Sequence, residues 1–208
     1  MSSAPAESIV VVPFGDGAVR VELPPSLRGQ RRLVLDRLRA LPGVRDVVVA
    51  EQHAAVVFEA EGPIPDVAAA LVAVEHGGGV AAAGELVVVH VRYDGPDLPA
   101  VAAWAGRGTE EVIALHLAPT YVVETIGFQP GFAYLGSVDP RIARPRLPSP
   151  RQRVPAGSVG IAGARTGVYP FASPGGWNLI GTVVGFAPFD TERGAALQLG
   201  DRVRFERV

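Results

Sequence analysis

Arginine, serine and tyrosine side chains lie among glycines and prolines in one stretch of the chain, residues 126–181. Within it, the run from Pro155 to Gly163 has three glycines in seven residues. Glycines at this spacing let successive backbone N–H groups approach a ligand closely, as in an anion-binding nest. The guanidinium groups of the arginines just upstream suit a carboxylate or a phosphate. The pattern predicts an anion site formed by Arg151, Arg153, Gly157, Ser158 and Gly160. The alternative is that the glycines serve bends of a barrel and the arginines lie in solvent.

Aromatic side chains form a second candidate group. Phe132 and Tyr134 belong to the glycine-punctuated run GFQPGFAYLG, which is typical of a loop that lines an apolar cleft. Further along, the turn Pro-Gly-Gly presents Ser173 and Trp177 at its two ends, one as a hydroxyl and the other as a flat apolar wall. Trp177 is equally consistent with a residue that fills a barrel core.

His116 is the candidate acid-base group, with Arg153 as the candidate catalytic cation. Its neighbours on the predicted helix are apolar, so it either points into the cleft or is a buried, hydrogen-bonded structural histidine. The chain has no Cys, and its four histidines are far apart, so no metal site is expected. No serine lies in a Gly-x-Ser-x-Gly motif or in a recognisable triad. Chemistry at this site would therefore need groups from a partner.

Composition excludes several classes of protein. All 19 basic residues are Arg, and the absence of Lys excludes Schiff-base chemistry and covalent attachment of biotin to this chain. A net charge of -2 argues against a nucleic-acid or anionic-membrane surface. The apolar runs are too short to span a membrane, and residues 1–8 lack the pattern of a secretion signal. We expect a cytoplasmic protein.

Periodicity divides the chain into an α+β fold of two halves. Strand patterns at 9–12, 18–23, 44–49, 54–58 and 86–93 alternate with helical patterns at 27–41 and 64–74. The order predicts a ferredoxin-like α/β sandwich over residues 1–93.

A helical connector is predicted over residues 94–120. A helix-turn-helix DNA reader is disfavoured because Glu110 and Glu111 stand where cations are needed. From residue 121 to 208, short β-branched runs between dense Gly and Pro turns predict a β-barrel.

A series of ordered motifs in the second half carries a family resemblance. The motifs are Tyr93-Asp-Gly-Pro-Asp-Leu98, Gly127-Phe-x-Pro-Gly-Phe-x-Tyr-Leu-Gly136, Arg153-Val-Pro-Ala-Gly-Ser-Val-Gly-Ile-x-Gly163, Thr166-Gly-Val-Tyr-Pro170, Ser173-Pro-Gly-Gly-Trp-x-Leu-Ile-Gly181 and Gly200-Asp-x-Val-Arg-Phe205. They resemble the family of the B subunit of 5-oxoprolinase, also called allophanate hydrolase subunit 1 or the KipI type. The resemblance adds Thr166 and Tyr169 to the candidate substrate-binding residues.

The resemblance implies a cyclophilin-like barrel in the second half. It also implies a heteromeric enzyme with a C-type partner (allophanate hydrolase subunit 2) and an A subunit of the LamB/YcsF type. Such an enzyme hydrolyses the cyclic amide of 5-oxoproline to glutamate, with ATP phosphorylating the amide oxygen. The chain would be inactive alone and would share ATP with its partners.

Three alternatives remain open. The KipI type implies a regulatory protein that inhibits a histidine kinase. Related modules form carboxyltransferase subunits of urea or allophanate systems, in which another protein would carry the biotin. Peptidyl-prolyl isomerisation is suggested only by analogy with the cyclophilin-like fold.

Overall fold

The computed structural model describes residues 9–59, 64–77 and 84–208. Residues 1–8, for which the sequence predicts no secretion signal, lie outside the described part. The chain forms two compact units, Met1–Ala82 and Ala83–Val208. Each unit buries apolar side chains of its own.

The first unit contains an antiparallel sheet and three helices among its described residues. Its elements in chain order are β1 (Val11–Pro13), β2 (Ala18–Glu22), α1 (Pro25–Arg28), α2 (Arg31–Arg39), β3 (Val44–Val49), β4 (His53–Phe58) and α3 (Val67–His76). The strand order is β1-β2-β4-β3. Burial alternates along β4 as a half-buried strand requires, and α2 buries Val34 and Leu38 one turn apart. The helix predicted over 27–41 is divided into α1 and α2.

The predicted ferredoxin-like order of this unit is not confirmed. In a ferredoxin-like sheet the last strand of the chain lies beside the first one, whose place β2 takes here. The sequence predicts Leu86–Tyr93 as that last strand. In the structure β1 pairs with β2, while the valine-rich run forms a strand of the second unit. The assignment of Leu86–Tyr93 to the first sheet is therefore wrong. An alternating apolar run fits either sheet, so its local pattern does not select its partner.

The second unit is a closed barrel with two helices packed on it. Its elements are β5 (Leu86–Arg92), α4 (Leu98–Ala105), α5 (Thr109–Leu117), β6 (Tyr121–Ile126), β7 (Ala133–Gly136), a 3-10 turn (Pro140–Ile142), β8 (Arg151–Val154), β9 (Ser158–Ala162), β10 (Arg165–Val168), β11 (Ser173–Gly175), β12 (Asn178–Val184), β13 (Phe189–Asp190), β14 (Gly194–Ala195) and β15 (Arg202–Arg207). Around the barrel the order is β10-β7-β6-β15-β5-β12-β9. The predicted barrel is confirmed, and its cyclophilin-like character stays a prediction.

The barrel begins earlier in the chain than the sequence predicts. β5 pairs in parallel with β15 and antiparallel with β12, so a strand assigned to the first half completes the barrel. The helices of the predicted connector also belong here, since α4 contacts β12 and α5 contacts β15. Inward side chains such as Val89, Val91, Val203 and Phe205 form the core with β-branched residues of the other strands. The interior of the barrel is therefore filled by packed apolar side chains.

Candidate functional site

Five aromatic rings from three segments lie together beside the barrel, and we call them the aromatic cluster. Its members are Phe128, Phe132, Tyr134, Tyr169 and Trp177. Phe132 is at its centre, with ring centroids 4.9 Å from Tyr134 and 5.3 Å from both Tyr169 and Trp177. The contacts are edge-to-face, the arrangement that the ring quadrupoles favour. The structure thus brings together four residues that the sequence analysis selected: Phe132, Tyr134, Tyr169 and Trp177.

Two glycines make room for these rings. Gly160 and Gly167 face each other across β9 and β10. A Cβ on Gly160 would lie 3.0 Å from Cβ of Trp177, and one on Gly167 would lie 2.7 Å from the carbonyl oxygen of Ala133. Only glycine fits at such approaches. The glycine spacing in this run therefore serves aromatic packing.

The predicted anion-binding nest is wrong. Ser158–Ala162 is strand β9, and it pairs on one side with β10 and on the other with β12. Its backbone N–H groups are engaged in these ladders instead of facing a ligand. Gly157 lies in the turn before the strand at φ 79°, where its N–H donates to the carbonyl oxygen of Tyr169 at 2.7 Å. The side chains of Ser158 and Thr166 are buried in the barrel.

The outer edge of the aromatic cluster is exposed. Phe128 is 61% exposed and has a left-handed backbone, with φ 71°, which is uncommon for a residue with a bulky side chain. Its loop is closed by a hydrogen bond of 3.1 Å from the N–H of Gly127 to the carbonyl of Phe132. A strained residue that presents an aromatic ring to solvent is typical of a binding surface.

Polar atoms at the cluster lack partners among the described residues. Ser173 is buried on β11, and neither its Oγ nor the buried Oε1 of Gln129 has a hydrogen bond within the described part of the chain. Buried groups of this kind need a ligand or a water molecule. Burial raises the pKa of Tyr134 and of Tyr169, so both hydroxyls stay protonated at neutral pH. They are hydrogen-bond donors at the site.

Arg151 is engaged in the scaffold. Its Nη2 donates to Oδ1 of Asp97 at 2.5 Å, and its Nη1 donates to the carbonyl of Trp177 at 3.3 Å. The other carboxylate oxygen of Asp97 accepts from the N–H of Leu179 at 2.7 Å. Because a buried carboxylate neutralises the Arg151 guanidinium, Arg151 is not the free anion-binding group that the sequence predicts. Sequence reasoning missed Asp97, although it lies in the motif Tyr93-Asp-Gly-Pro-Asp-Leu98.

Arg153 lies at a β-bulge. Ser173 pairs with Val154 and Gly175 pairs with Arg151, so β8 has one extra residue between these pairs. A bulge redirects the side chains of the strand that carries it. Arg153 is exposed and has no hydrogen bond or ion pair among the described residues. It remains available to a ligand or partner.

His116 is in the barrel core, fully buried, and burial lowers its pKa to about 3. Its Nδ1 is 2.7 Å from the hydroxyl of Tyr93, and its Nε2 is 2.9 Å from Oγ1 of Thr166. Thr166 donates its own proton to the carbonyl of Gly160 at 3.0 Å. Nε2 must therefore carry the proton donated to Thr166, and Nδ1 accepts from Tyr93. This satisfied, neutral imidazole favours the structural alternative and does not support the acid-base role.

The segment 143–150 passes over the turn between β11 and β12. Asn178 is fully buried, and its Nδ2 donates to the carbonyls of Pro145 at 2.9 Å and Ile161 at 3.1 Å. The N–H of Leu147 donates to the carbonyl of Gly176 at 2.7 Å. Sequence reasoning missed Asn178 and the arginine between these two attachments, Arg146. Asn178 lies within the motif Ser173–Gly181, whereas Arg146 lies outside the motifs described above.

The described residues of the site supply no activated nucleophile, because Oγ of Ser173 has no hydrogen-bond partner among them. Within the described ranges, no group of three His, Asp or Glu side chains is placed to hold a metal ion. No helix in the described part of the chain is long and apolar enough to cross a membrane. The accessible part of the site offers the ring of Phe128, the hydroxyl of Tyr134 and the guanidinium of Arg153, which suits a small ligand with an anionic group.

Comparison with known proteins gives a consistent result. The family model described as carboxyltransferase domain, subdomain C and D, matches residues 9–197. The B subunit of 5-oxoprolinase from Escherichia coli O157:H7 is 50% identical over 123 residues, which are 58% of this chain and 56% of that protein. The chain thus spans about half the length of the curated relatives that it matches.

Solved structures agree with this similarity. The crystal structure of TTHA0988 superposes with a TM-score of 0.78 at 36% identity, covering 93% of this chain and 40% of that one. The Kluyveromyces lactis urea carboxylase superposes with a TM-score of 0.68 at 18% identity, covering 100% of this chain and 23% of that one. At that identity the second match concerns the fold alone.

Proposed function

Because the chain belongs to the family of carboxyltransferase domains of the subdomain C and D type, with relatives named as the B subunit of 5-oxoprolinase, we propose that it is a subunit of an ATP-dependent 5-oxoprolinase. The reaction adds water across the cyclic amide of 5-oxoproline, breaks the C–N bond and gives glutamate, while ATP is hydrolysed. The observation that carries this proposal is the aromatic cluster, in which the exposed ring of Phe128 and the half-buried ring of Tyr134 contact the buried ring of Phe132.

The chain's own residues bind and orient the cyclic amide in this proposal. The exposed ring of Phe128 covers the apolar face of the substrate and excludes water. The protonated hydroxyl of Tyr134 donates a hydrogen bond to the lactam oxygen, which gains negative charge as the ring opens.

ATP belongs to a partner subunit. This assignment is supported by the absence of Lys from the chain and by the pairing of the β9 N–H groups within the barrel. A C-type subunit and a LamB/YcsF-type A subunit complete the enzyme, and the chain by itself is inactive.

Reconstitution tests the proposal. The chain produced together with A-type and C-type subunits should form glutamate from 5-oxoproline only when ATP is present. Phe128→Ala should raise KM about fivefold to tenfold, because a lost aromatic contact costs roughly 1 kcal/mol. Phe14→Ala, which removes a similarly exposed ring from the first unit, is the matched control and should leave KM unchanged. A soluble complex of all three subunits that forms no glutamate would contradict the proposal.

A carboxyltransferase subunit is the second candidate, favoured by the family description and by the fold match to urea carboxylase. With no Lys on this chain, the biotin would be carried by another protein. Avidin separates the two functions, since it should abolish a biotin-dependent activity and leave ring hydrolysis intact. The histidine-kinase inhibitor implied by the KipI type stays a prediction, because no feature of the described site favours it.

A further inference from the structure

The backbone on both sides of Arg146 is held against the turn between β11 and β12. On one side, the carbonyl of Pro145 accepts from the buried amide of Asn178 at 2.9 Å. On the other side, the N–H of Leu147 donates to the carbonyl of Gly176 at 2.7 Å. The preceding carbonyl, that of Arg144, accepts from the N–H of Gly163 at 2.8 Å. Arg146 is therefore an exposed side chain on a fixed backbone.

This fixed backbone lies beside the aromatic cluster. The hydroxyl of Tyr169 abuts Gly175, the residue before the attachment point Gly176, so closely that a Cβ there would collide with it. Electrostatic effects agree with this placement. Burial raises the pKa of Tyr134 and of Tyr169, and the Arg146 guanidinium lowers both in part. The charge of Arg146 thus acts on the two hydroxyls of the cluster.

The other arginines around the barrel wall are engaged or covered. Arg151 pairs with Asp97, Arg165 pairs with Glu124 and Arg141 pairs with Asp139. Arg144 is only partly exposed, and its buried Nη1 has no hydrogen-bond partner in the described part of the chain. Arg146 makes no hydrogen bond or ion pair with any other described residue, and neither does Arg153 at the bulge. Of these two exposed cations, Arg146 is the one whose neighbour Leu147 is bonded to Gly176, next to the Gly175 that contacts the hydroxyl of Tyr169.

We propose that Arg146 recognises the carboxylate of the substrate, a small cyclic amide that carries an acid group next to its ring nitrogen. This inference rests on the proposed function and names the specificity-determining residue of that site. A guanidinium offers two parallel N–H donors that match a carboxylate. Hydrogen bonds from Asn178 to Pro145 and from Leu147 to Gly176 fix the backbone on both sides of Arg146, so no backbone freedom is lost there when a ligand binds.

Titration of the full chain with two ligands tests this role. The ligands are 5-oxoproline and 5-oxoprolinamide, which has a neutral amide in place of the carboxylate. The wild-type chain should bind 5-oxoproline more tightly. Arg146→Gln should weaken 5-oxoproline binding about tenfold to a hundredfold, because it removes a hydrogen bond between charged groups. The affinity for 5-oxoprolinamide should not change. The variant should bind both ligands alike.

Two further variants give the controls. Arg193→Gln removes an exposed arginine before β14 and should bind as the wild type does, and equal thermal midpoints should verify that each variant is folded. Arg153→Gln tests the other free cation. The assignment is overturned if Arg146→Gln keeps the preference for the acid, if only Arg153→Gln loses it, or if the wild-type chain binds neither ligand. Glutamate formation by the full complex reports separately on the proposed function, so the two failures are distinguishable.

Discussion

His116 is buried in its neutral form. Thr166 accepts at Nε2 and donates onward to Gly160, while Tyr93 donates to Nδ1. Protonating Nδ1 would bury a charge beside Phe205, whose ring is stacked 4.8 Å away, so desolvation disfavours the cation. The native state therefore binds this proton only near pH 3, whereas an unfolded histidine binds it near pH 6.5.

The pH dependence of stability follows in sign and size. Because the folded pKa is depressed, the contribution of His116 is complete above pH 6.5 and is lost as the pH falls toward 3. The destabilisation caused by His116→Gln, measured by urea unfolding, should be smaller at pH 5.5 than at pH 7.5 by about 1.4 kcal/mol. His90→Gln, at an exposed position of β5, should show no such difference. Equal pH effects in the two variants would refute the buried neutral imidazole.

At the scale of elements, Asp97 connects three parts of the second unit. It precedes α4, accepts from the backbone of β12 through Leu179, and pairs with Arg151 on β8. The pair is mostly buried, with side-chain exposures of 12% for Asp97 and 29% for Arg151. Removing one partner leaves the other charge buried without a counter-charge. The resulting loss of folding free energy is larger than the contribution of a surface ion pair.

Asp97→Asn should lower the free energy of unfolding by about 1 to 3 kcal/mol, because the amide keeps the shape but cannot neutralise Arg151. Chemical denaturation of the full chain measures this change. The matched control is Asp94→Asn, whose partner Arg92 is 3.7 Å away on the surface, and it should change stability by less than about 0.5 kcal/mol. If the two variants are equally stable, Asp97 does not hold β8 in place.

At the scale of the whole molecule, β5 decides where the second unit begins. It lies between β15 and β12, and without it both strands would have unpaired edges. A fragment of residues 83–208 should unfold cooperatively, with a near-ultraviolet circular dichroism signal from Trp104 and Trp177. A fragment of residues 94–208 should show no cooperative transition. Comparable transitions in both fragments, or none in the first, would contradict the closed barrel.

Much of the scaffold could be predicted from the sequence because strand and helix patterns are local. Signals within a few neighbouring residues indicate the strands, the helix α3 (Val67–His76) and the aromatic residues 132, 134, 169 and 177. The glycines of β9 show the limit of such signals. Closely spaced glycines are compatible with an anion-binding nest and also with strands that leave room for aromatic rings. The pairing of Gly160 with Gly167 beside Trp177 shows that the second arrangement is present.

The sequence by itself determined the family and the presence of a barrel, since motif order and the spacing of short strand runs between turns are properties of the chain alone. Tertiary structure decided which strand closes the barrel and which arginines are free. Arg151 meets Asp97 across 54 residues, and Arg146 is fixed by Asn178. Charge neutralisation depends on contacts between residues distant in sequence, and no local pattern records them.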